Sequence, residues 1–334
     1  MIFHFERIEK LLLAASQVQR YFACHILRNE PEKSPGTSAD YLGRINRAID
    51  HIVQNLRDPL RLDDVAKVAC FSPFHFHRVF RSILGETLNQ FVNRLRLERA
   101  LGILSTHPDR SLTRIALDCG FASPSDFSRS FVKRYGVPPS RFDLEAAHAE
   151  RRCEIQTVSS SPETRHRLAK LPAGENPDGF SVELRELPAR CVAYLRVLNS
   201  FQPGVVEAAM ERMLSWADAR GLSGGQWLGY MWDDPKIVAT KDCRYDIGLE
   251  VSDVKPEGEI GRMEFPAMTV AQIEVKGGLD LEMRAFDWLW GTWLPSSGLV
   301  PADHPGFEAW LGRPFAHGHE YFEILLQLPV VPSP

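Results

Sequence analysis

The sequence of 334 residues has no apolar run approaching the ~18 residues of a membrane-spanning helix. Its six cysteines are scattered without a CxxC pair, which disfavours a disulfide framework or a zinc site. The first residues mix acidic and basic side chains and lack the basic region, apolar block and cleavage site of a signal peptide. These absences predict reduced thiols, a cytoplasmic location and no membrane association.

Motifs of common enzyme classes are also missing. The sequence contains no Walker loop, no HExxH, no GxSxG and no GxGxxG after a strand. His75 and His77 are two positions apart on a predicted helix, about 200° around its axis, and make a poor metal pair. His317 and His319 lie in a predicted loop, where a surface turn is favoured over a metal site. We therefore expect no cofactor, no metal and no enzymatic activity.

Charge is divided unevenly along the chain. Residues 40–142 carry 16 Lys and Arg against 10 Asp and Glu, whereas residues 181–334 carry 13 against 22. The first segment, with a net charge of +6, suits a polyanion, and the second, at −9, would be repelled by one. This split indicates two domains with different partners.

The sequence contains one short helical motif twice. The stretch "SPFHFHRVFR" begins at Ser72, and "SPSDFSRSFV" begins at Ser123. In each copy the serine can cap the helix, and the proline suits its first position. A short helical segment precedes each copy, "VAKVACF" and "IALDCGF", so each copy predicts a helix-turn-helix unit. Helices are predicted at 41–55, 62–69, 73–84, 88–105, 112–118 and 124–135.

Helical spacing divides each second helix into a buried and an outward face. Phe76, Val79, Phe80 and Ile83 form the first buried stripe, and Phe127, Phe131 and Tyr135 form the second. The outward residues can bond to base edges or touch thymine methyl groups. These candidate DNA-reading residues are Phe74, His75, His77, Arg78 and Arg81 in the first copy, and Ser125, Asp126, Ser128, Arg129 and Lys133 in the second.

A helix is predicted to join the two units. Arg94, Arg96 and Arg99 lie away from its apolar side, where they can reach phosphates or form an ordinary solvated basic surface. Twenty helical residues span ~30 Å, close to the ~34 Å of one turn of B-DNA. Two DNA-reading helices on one chain, which we call the first and second reader, therefore predict a bipartite site in double-stranded DNA without requiring a dimer.

The run from "HFHRVFRSILGETLNQFVNRLRLERALGIL" to "SLTRIALDCGFASPSDFSRSFVKRYGVPPSRF" resembles the DNA-binding domain of AraC/XylS-type transcription regulators, over about residues 41–142. The resemblance implies an all-α double helix-turn-helix domain, binding to promoter sites and contact with RNA polymerase. It also implies base reading from the third and sixth helices. Those positions are Phe74, His77 and Arg78 in the first copy, and Pro124, Ser125, Asp126, Ser128 and Arg129 in the second. Pro124 cannot donate a backbone hydrogen bond and Asp126 would repel phosphate, so the first reader is expected to dominate.

The second half alternates apolar and polar residues and predicts an α+β domain with two similar halves. Segments such as "LGYMWDDP", "CRYDIGLEV" and "TWLPSSGLVPADHPGFEAWL" resemble a GyrI-like effector domain over about residues 180–330. The resemblance implies two strand-helix-strand-strand modules around a cleft that binds a small lipophilic or cationic molecule. Glu323 is the first candidate for a carboxylate in that cleft, and Glu308 is a weaker one. Trp227, Tyr230, Tyr194 and Trp293 are the candidate aromatic contacts.

The predicted organisation is an extension and linker at 1–39, with a weak amphipathic helix in 1–27, then the helical domain at 40–142, a linker at 143–179 and the effector domain at 180–330. The sequence favours a sequence-specific transcription regulator controlled by a small molecule. Two alternatives stay open: a hydrolase of small reactive compounds, with Glu323 and Tyr230 or Tyr245 as acid and base, and a module that sequesters drugs or binds protein. The effector, the target genes, the sign of regulation and the oligomeric state are not determined by the sequence.

Overall fold

The structure, a computed structural model, describes residues 38–158, 174–318 and 320–333. The predicted helix within 1–27 therefore lies outside the described residues, as does His319. The chain forms two compact units. Of the described residues, the first unit contains 38–96 and 257–259, and the second contains the others from Leu97 onward.

The first unit is helical. It contains α1 (Ser38–Gln54), α2 (Leu62–Val68), α3 (Pro73–Leu84) and the beginning of α4 (Leu88–Thr106). The hydroxyl of Ser72 accepts a hydrogen bond from the backbone N–H of His75 at 3.4 Å and begins α3. Gly85 ends α3 in the left-handed region, with φ 74°, where a side chain would be strained. The core includes Ile45, Ile49, Phe76, Phe80 and Phe91.

The second unit begins with another small helical core. Its helices are the end of α4, α5 (Leu112–Asp118), α6 (Pro124–Tyr135) and α7 (Leu144–Val158). Ser123 caps α6 by accepting from the N–H of Asp126 at 3.1 Å. Phe127 and Phe131 are buried, as the helical spacing predicted. The segment predicted as a linker from residue 143 instead starts with α7, because Ile155 buries against the unit and gives the helix a packed side.

An antiparallel sheet completes the second unit. Its strands are β1 (Glu183–Leu187), β2 (Arg190–Leu198), β3 (Trp227–Met231), β4 (Arg244–Val251), β5 (Ile260–Phe265), β6 (Met268–Gly277), β7 (Leu299–Pro301), β8 (Gly306–Trp310) and β9 (Phe322–Pro332). The order is β1-β6-β9-β8-β3-β4-β2-β5, and β7 pairs with β9 off this path. The two halves of this order mirror each other, which agrees with the two similar modules predicted from the sequence. In chain order, the first half begins with β1 and the second half with β5. Each of these strands pairs with a strand of the other half, β1 with β6 and β5 with β2.

Two helices cover one face of the sheet, which we call the helical face. They are α8 (Val205–Asp218) and α9 (Leu279–Trp288), and α9 continues into a π-helical turn at Leu289–Trp293. The core beneath them includes Trp227, Ile247, Ile273 and Leu326. The opposite face has its own apolar cluster, which contains Tyr194, Tyr230, Phe265 and Phe307 among others. Because both faces bury apolar residues, the sheet is a central layer of this domain.

Candidate functional site

Helix α3 presents an exposed mixed surface. Phe74 is 74% exposed, and Arg78 and Arg81 are exposed with it. The guanidinium of Arg78 lies 5.7 Å from the centre of the Phe74 ring, so the two side chains form a single cationic and apolar surface. A single exposed apolar ring is common on protein surfaces, so it is the pairing of Phe74 with a cationic neighbour that makes this face a candidate contact surface.

The two histidines of α3 are less accessible. His75 and His77 are both half-buried. The His75 ring packs at 5.0 Å from that of Phe71 and at 5.8 Å from that of Tyr41. His75 thus closes the edge of the first helical core, and His77 lies nearer to the exposed surface formed by Phe74 and Arg78.

Helix α6 presents a more polar surface. Ser125, Ser128, Arg129 and Lys133 are exposed, and Pro124 is exposed at its first turn. The carboxylate of Asp126 lies 3.8 Å from the guanidinium of Arg129. This pair partly offsets the charge that Arg129 offers to an outside partner.

Arg94 was predicted to reach phosphates or to lie on a solvated basic surface, and its buried position agrees with neither. Its side chain is 6% exposed and forms an ion pair with Glu86 at 2.6 Å. Arg96 is half-buried and donates to the backbone oxygens of Leu56 at 2.9 Å and Asp58 at 2.8 Å. Both arginines attach α4 to neighbouring turns of the chain. The turn at 56–58 provides the backbone oxygens that accept from Arg96, and the turn at 85–87 provides the carboxylate of Glu86 that accepts from Arg94. Helical spacing alone did not reveal those acceptors.

A second candidate site lies under α9 on the helical face, and we call it the carboxyl site. It consists of Glu308 on β8, Tyr245 on β4 and Glu282 on α9. The hydroxyl of Tyr245 donates to Oε2 of Glu308 at 2.8 Å. Glu282 is 4% exposed and Glu308 is 7% exposed, so both carboxyl groups are buried.

Gly229 makes room for this arrangement. It lies directly opposite Glu308 in the β3–β8 register. A Cβ atom at Gly229 would stand 1.9 Å from the Tyr245 hydroxyl oxygen and 2.7 Å from Oε2 of Glu308. The missing side chain therefore provides the space that the phenol and the carboxyl group share.

Burial dominates the electrostatics of the carboxyl site. It raises the pKa of Glu308 to about 7, although hydrogen bonds from Tyr245 and Glu282 act in the opposite direction. The pKa of Glu282 is raised well above its ordinary value, first by burial and then by the charge of Glu308. The pKa of Tyr245 is also raised, for the same two reasons. Near neutral pH the site therefore holds protons that a cation could replace.

Aromatic side chains surround the carboxyl site. Trp310, two residues after Glu308, packs 5.0 Å from Phe315 and 5.8 Å from Phe322. The indole nitrogen of Trp288 is buried without a hydrogen-bond partner among the described residues, whereas the Trp310 indole faces Glu308 and Tyr245 and acts against the rise that burial causes in the pKa of both. Unsatisfied buried donors are uncommon in native proteins, and that of Trp288 marks this region as a place to look for a ligand.

The predicted ligand residues fall on two different faces. Trp227 is buried on the helical face, where its indole N–H donates to the Ser223 carbonyl, and Trp293 packs at the edge of the same core. Tyr194 and Tyr230 lie in the cluster on the opposite face. Only the first pair shares a face with the carboxyl site.

Glu323 lies away from the carboxyl site, on the face that also carries Tyr194 and Tyr230, and its role as a ligand carboxylate stays a prediction. Neighbouring Ile324 points into the core of the helical face, so strand alternation directs Glu323 to the opposite face. Glu323 is half-buried and stands opposite Lys276 in the β6–β9 register. The structure places the weaker sequence candidate, Glu308, at the carboxyl site. Glu282 was missed because an acidic residue in the first turn of a helix ordinarily interacts with the helix dipole and gives no sign of burial.

The described ranges contain no cluster of side chains suited to a metal ion, and none of their helices is long and apolar enough to cross a membrane.

Comparisons with known proteins match both parts of the chain. Residues 180–331 match the family described as the GyrI-like small molecule binding domain, and residues 65–144 match a helix-turn-helix domain. Regulatory protein SoxS of Salmonella typhimurium is 33% identical over 98 residues, which cover 29% of this chain and 91% of SoxS. The chain belongs to the AraC family of transcription regulators.

Other relatives of this AraC-family chain match over a smaller share of their length. Regulatory protein PocR of Salmonella typhimurium is 32% identical over 115 residues, 34% of this chain and 38% of PocR. The chain thus spans about two fifths of PocR. The cryo-EM structure of an EcmrR–DNA complex in EcmrR-RPo has a TM-score of 0.39 and 16% identity, over 78% of this chain and 83% of that chain.

Proposed function

We propose that this AraC-family chain binds specific sites in double-stranded DNA through α3 and α6, and that a small lipophilic or cationic molecule in the carboxyl site regulates this binding. The observation that carries the proposal is the pair of serine-capped helices with exposed, mixed basic and polar faces. Helices of this kind read base edges in the major groove. Family membership supports the same activity.

The first reader supplies most of the sequence preference. Arg78 is exposed and can bond bidentately to guanine, and exposed Phe74 beside it can contact a thymine methyl group. Exposed Arg81 and Lys133 suit phosphate contacts. Because α4 has 19 residues and is about 28 Å long, half-sites about one turn apart are expected.

Selection of fragmented genomic DNA by the purified protein at fixed, near-physiological salt tests the DNA part. A bipartite motif with half-sites about 10 base pairs apart is expected. Uniform recovery of fragments, with binding lost on modest addition of salt, would show contact with phosphates alone and overturn the proposed specificity.

The effector is proposed to be a cation with an apolar body. Two buried carboxyl groups favour positive charge once they lose protons, and the surrounding rings favour an apolar surface and attract a cation to their faces. Both carboxyl groups are closed from solvent, so entry requires movement of a covering element. The π-helical turn after α9 is a candidate, since such turns are frequent at functional sites.

Calorimetry with benzyltrimethylammonium tests the effector part, and neopentylbenzene serves as a neutral control of the same shape. Binding of the ammonium compound that is lost in Glu308→Gln, with little binding of the neutral control, is expected. Equal binding of both compounds would contradict a role for charge.

The protein is proposed to act as a regulator and not as an enzyme, in the cytoplasm and in contact with RNA polymerase. The matched relatives carry the names of regulators, which supports this assignment. Tyr245 and Glu308 do form an acid–base pair of the kind a hydrolase uses, so each binding assay should include analysis of products. Turnover that disappears in Glu308→Gln would favour the hydrolase alternative.

A further inference from the structure

The loop between β3 and β4, residues 232–243, lies between the carboxyl site and the second helix-turn-helix core. We call it the junction loop. Both of its ends lead into strands that build the carboxyl site, since β3 contains Gly229 and β4 contains Tyr245. All of the contacts described below lie within the second compact unit.

Buried hydrogen bonds fix the junction loop to β4. The guanidinium of Arg244 donates to both carboxylate oxygens of Asp233, at 2.7 and 2.8 Å, and its backbone N–H also donates to Asp233 at 2.8 Å. Both side chains are at most 5% exposed. Tyr245 is the next residue along the strand, so a shift of its backbone would be passed to the loop through this pair.

A second connection joins the loop to α9. Lys236 forms an ion pair with Asp287, and both side chains are largely buried. Asp287 lies five residues after Glu282 on the same helix. Both acidic residues of the carboxyl site are therefore connected to the junction loop. Glu282 lies on α9, which is bonded to the loop through Asp287. Glu308 accepts a hydrogen bond from Tyr245, which lies on β4 directly after the loop.

On its other side the junction loop contacts the second helix-turn-helix core. The backbone N–H and the hydroxyl of Thr240 donate to Oε1 of Glu154 on α7, at 3.3 and 2.6 Å. Ile237 packs against the apolar core that contains Phe127 and Phe131 of α6. The loop thus touches the same core that supports the second reading helix.

A small crevice lies beside the junction loop. It has a volume of about 20 Å³, enough for about one water molecule, and lies between α7 and α9 with Lys236 of the junction loop on its wall. Its other lining residues are Arg152, Ile155, Met283, Arg284 and Asp287. The junction loop, α7 and α9 therefore meet around one crevice.

We infer that the junction loop couples the carboxyl site to the second helix-turn-helix core through the Thr240–Glu154 hydrogen bonds and the packing of Ile237. This inference rests on the proposed function of the carboxyl site. A cation that enters between Glu282 and Glu308 competes with the Tyr245 hydroxyl for the carboxylate and displaces α9. Both changes reach the loop, and the loop biases the position of α7 and α6. Coupling follows because the loop contacts differ between the empty and occupied states.

The test compares Thr240→Val with Thr269→Val in the full chain. Thr269 is a matched control, because its hydroxyl also donates to a glutamate, Glu186, at 2.7 Å, but on β6 away from the junction loop. DNA affinity is measured without and with saturating benzyltrimethylammonium. The wild type and Thr269→Val are expected to change affinity at least about fivefold, within the usual range of allosteric coupling. Thr240→Val is expected to change less than twofold while both separate affinities persist.

Full coupling in Thr240→Val would overturn the inference. A wild type that does not bind the ammonium compound would instead contradict the proposed effector, and amide hydrogen exchange then tests the loop without a ligand. Tyr245→Phe removes the hydroxyl that bonds Glu308 and is expected to speed exchange in α7. In the Thr240→Val background, adding Tyr245→Phe should leave the exchange rate of α7 unchanged. Faster exchange in the double variant than in Thr240→Val alone would also overturn the inference.

Discussion

The hydroxyl of Tyr245 and the carboxyl group of Glu308 share the space above the Cα atom of Gly229. Three different strands meet at this point, because Tyr245 lies on β4, Glu308 on β8 and Gly229 on β3. The strands β3 and β8 are also where the two halves of the sheet join. The carboxyl site is therefore built at the centre of the sheet, on the line between the halves.

Gly229→Ala should destabilise the effector domain. The added methyl group would overlap Tyr245 and Glu308, and overpacking of this kind costs about 1–3 kcal/mol. All seven tryptophans lie in residues 216–310, so tryptophan fluorescence follows unfolding of this domain. Gly224→Ala is the control, since nothing lies within 4 Å of a Cβ atom there. Equal unfolding midpoints for the two variants would contradict the crowded geometry at Gly229.

Affinity for a permanently charged cation should rise with pH until about pH 7. The cation favours ionised Glu308, whose pKa is about 7 because the carboxyl group is buried. Below that pH, binding must release a proton, and affinity falls by up to about tenfold per pH unit. Titration calorimetry between pH 5 and pH 8 in buffers of different ionisation enthalpy measures both the slope and the proton count. A flat profile would exclude Glu308 as the titrating group.

The same carboxyl group should make stability depend on pH. Its pKa is higher in the folded chain than in the unfolded chain, so the folded state holds the proton more tightly. The contribution is fully present below the unfolded pKa, near 4.5, and is lost as the pH rises towards about 7. Denaturant unfolding followed by fluorescence should show a weaker pH dependence over this window in Glu308→Gln. An unchanged dependence would assign it to other groups.

Arg78→Ala should weaken binding to the selected DNA site by about 1–3 kcal/mol and relax the preference at one base pair. Arg129→Ala should cost less, because Asp126 already lies 3.8 Å from the Arg129 guanidinium. Fluorescence anisotropy on the selected site and on single base-pair variants measures both effects. If Arg78→Ala weakens binding to every sequence equally, Arg78 contacts phosphate.

Arg94→Met and Arg81→Met should separate structural from phosphate-binding arginines. Arg94 is buried with Glu86, so its loss should lower the helical unfolding midpoint in far-ultraviolet circular dichroism and leave the salt dependence of DNA binding unchanged. Arg81 is exposed, and its loss should reduce the slope of log affinity against log salt by about 1. A reduced slope in Arg94→Met would show that the ion pair opens on DNA.

The helices could be predicted closely from the sequence because their ends are encoded locally. Ser72 and Ser123 cap α3 and α6, and Gly85 and Gly136 end them in the left-handed region. The predicted range 73–84 coincides with α3, and 124–135 coincides with α6. Local signals of this kind need no knowledge of the rest of the fold.

The carboxyl site could not be predicted as well, because its faces are set by the whole sheet. Alternation along β9 places Glu323 and Ile324 on opposite faces, but it does not indicate which face carries the carboxyl site. Strand β8 has five residues, too few for a clear period, and it contains Glu308. The acceptors that bury Arg94 and Arg96 likewise come from turns that a single helix does not reveal.

The exchange of first strands between the halves of the sheet has a consequence for how such a domain arises. Each half needs an edge strand from the other, as β1 lies on β6 and β5 lies on β2. A half-length ancestor with this topology would leave one strand unpaired as a monomer and satisfy it only with a second copy of itself. Fusion of two such copies end to end would give the present topology, with the boundary between the copies at β3 and β8, beside Gly229 and Glu308.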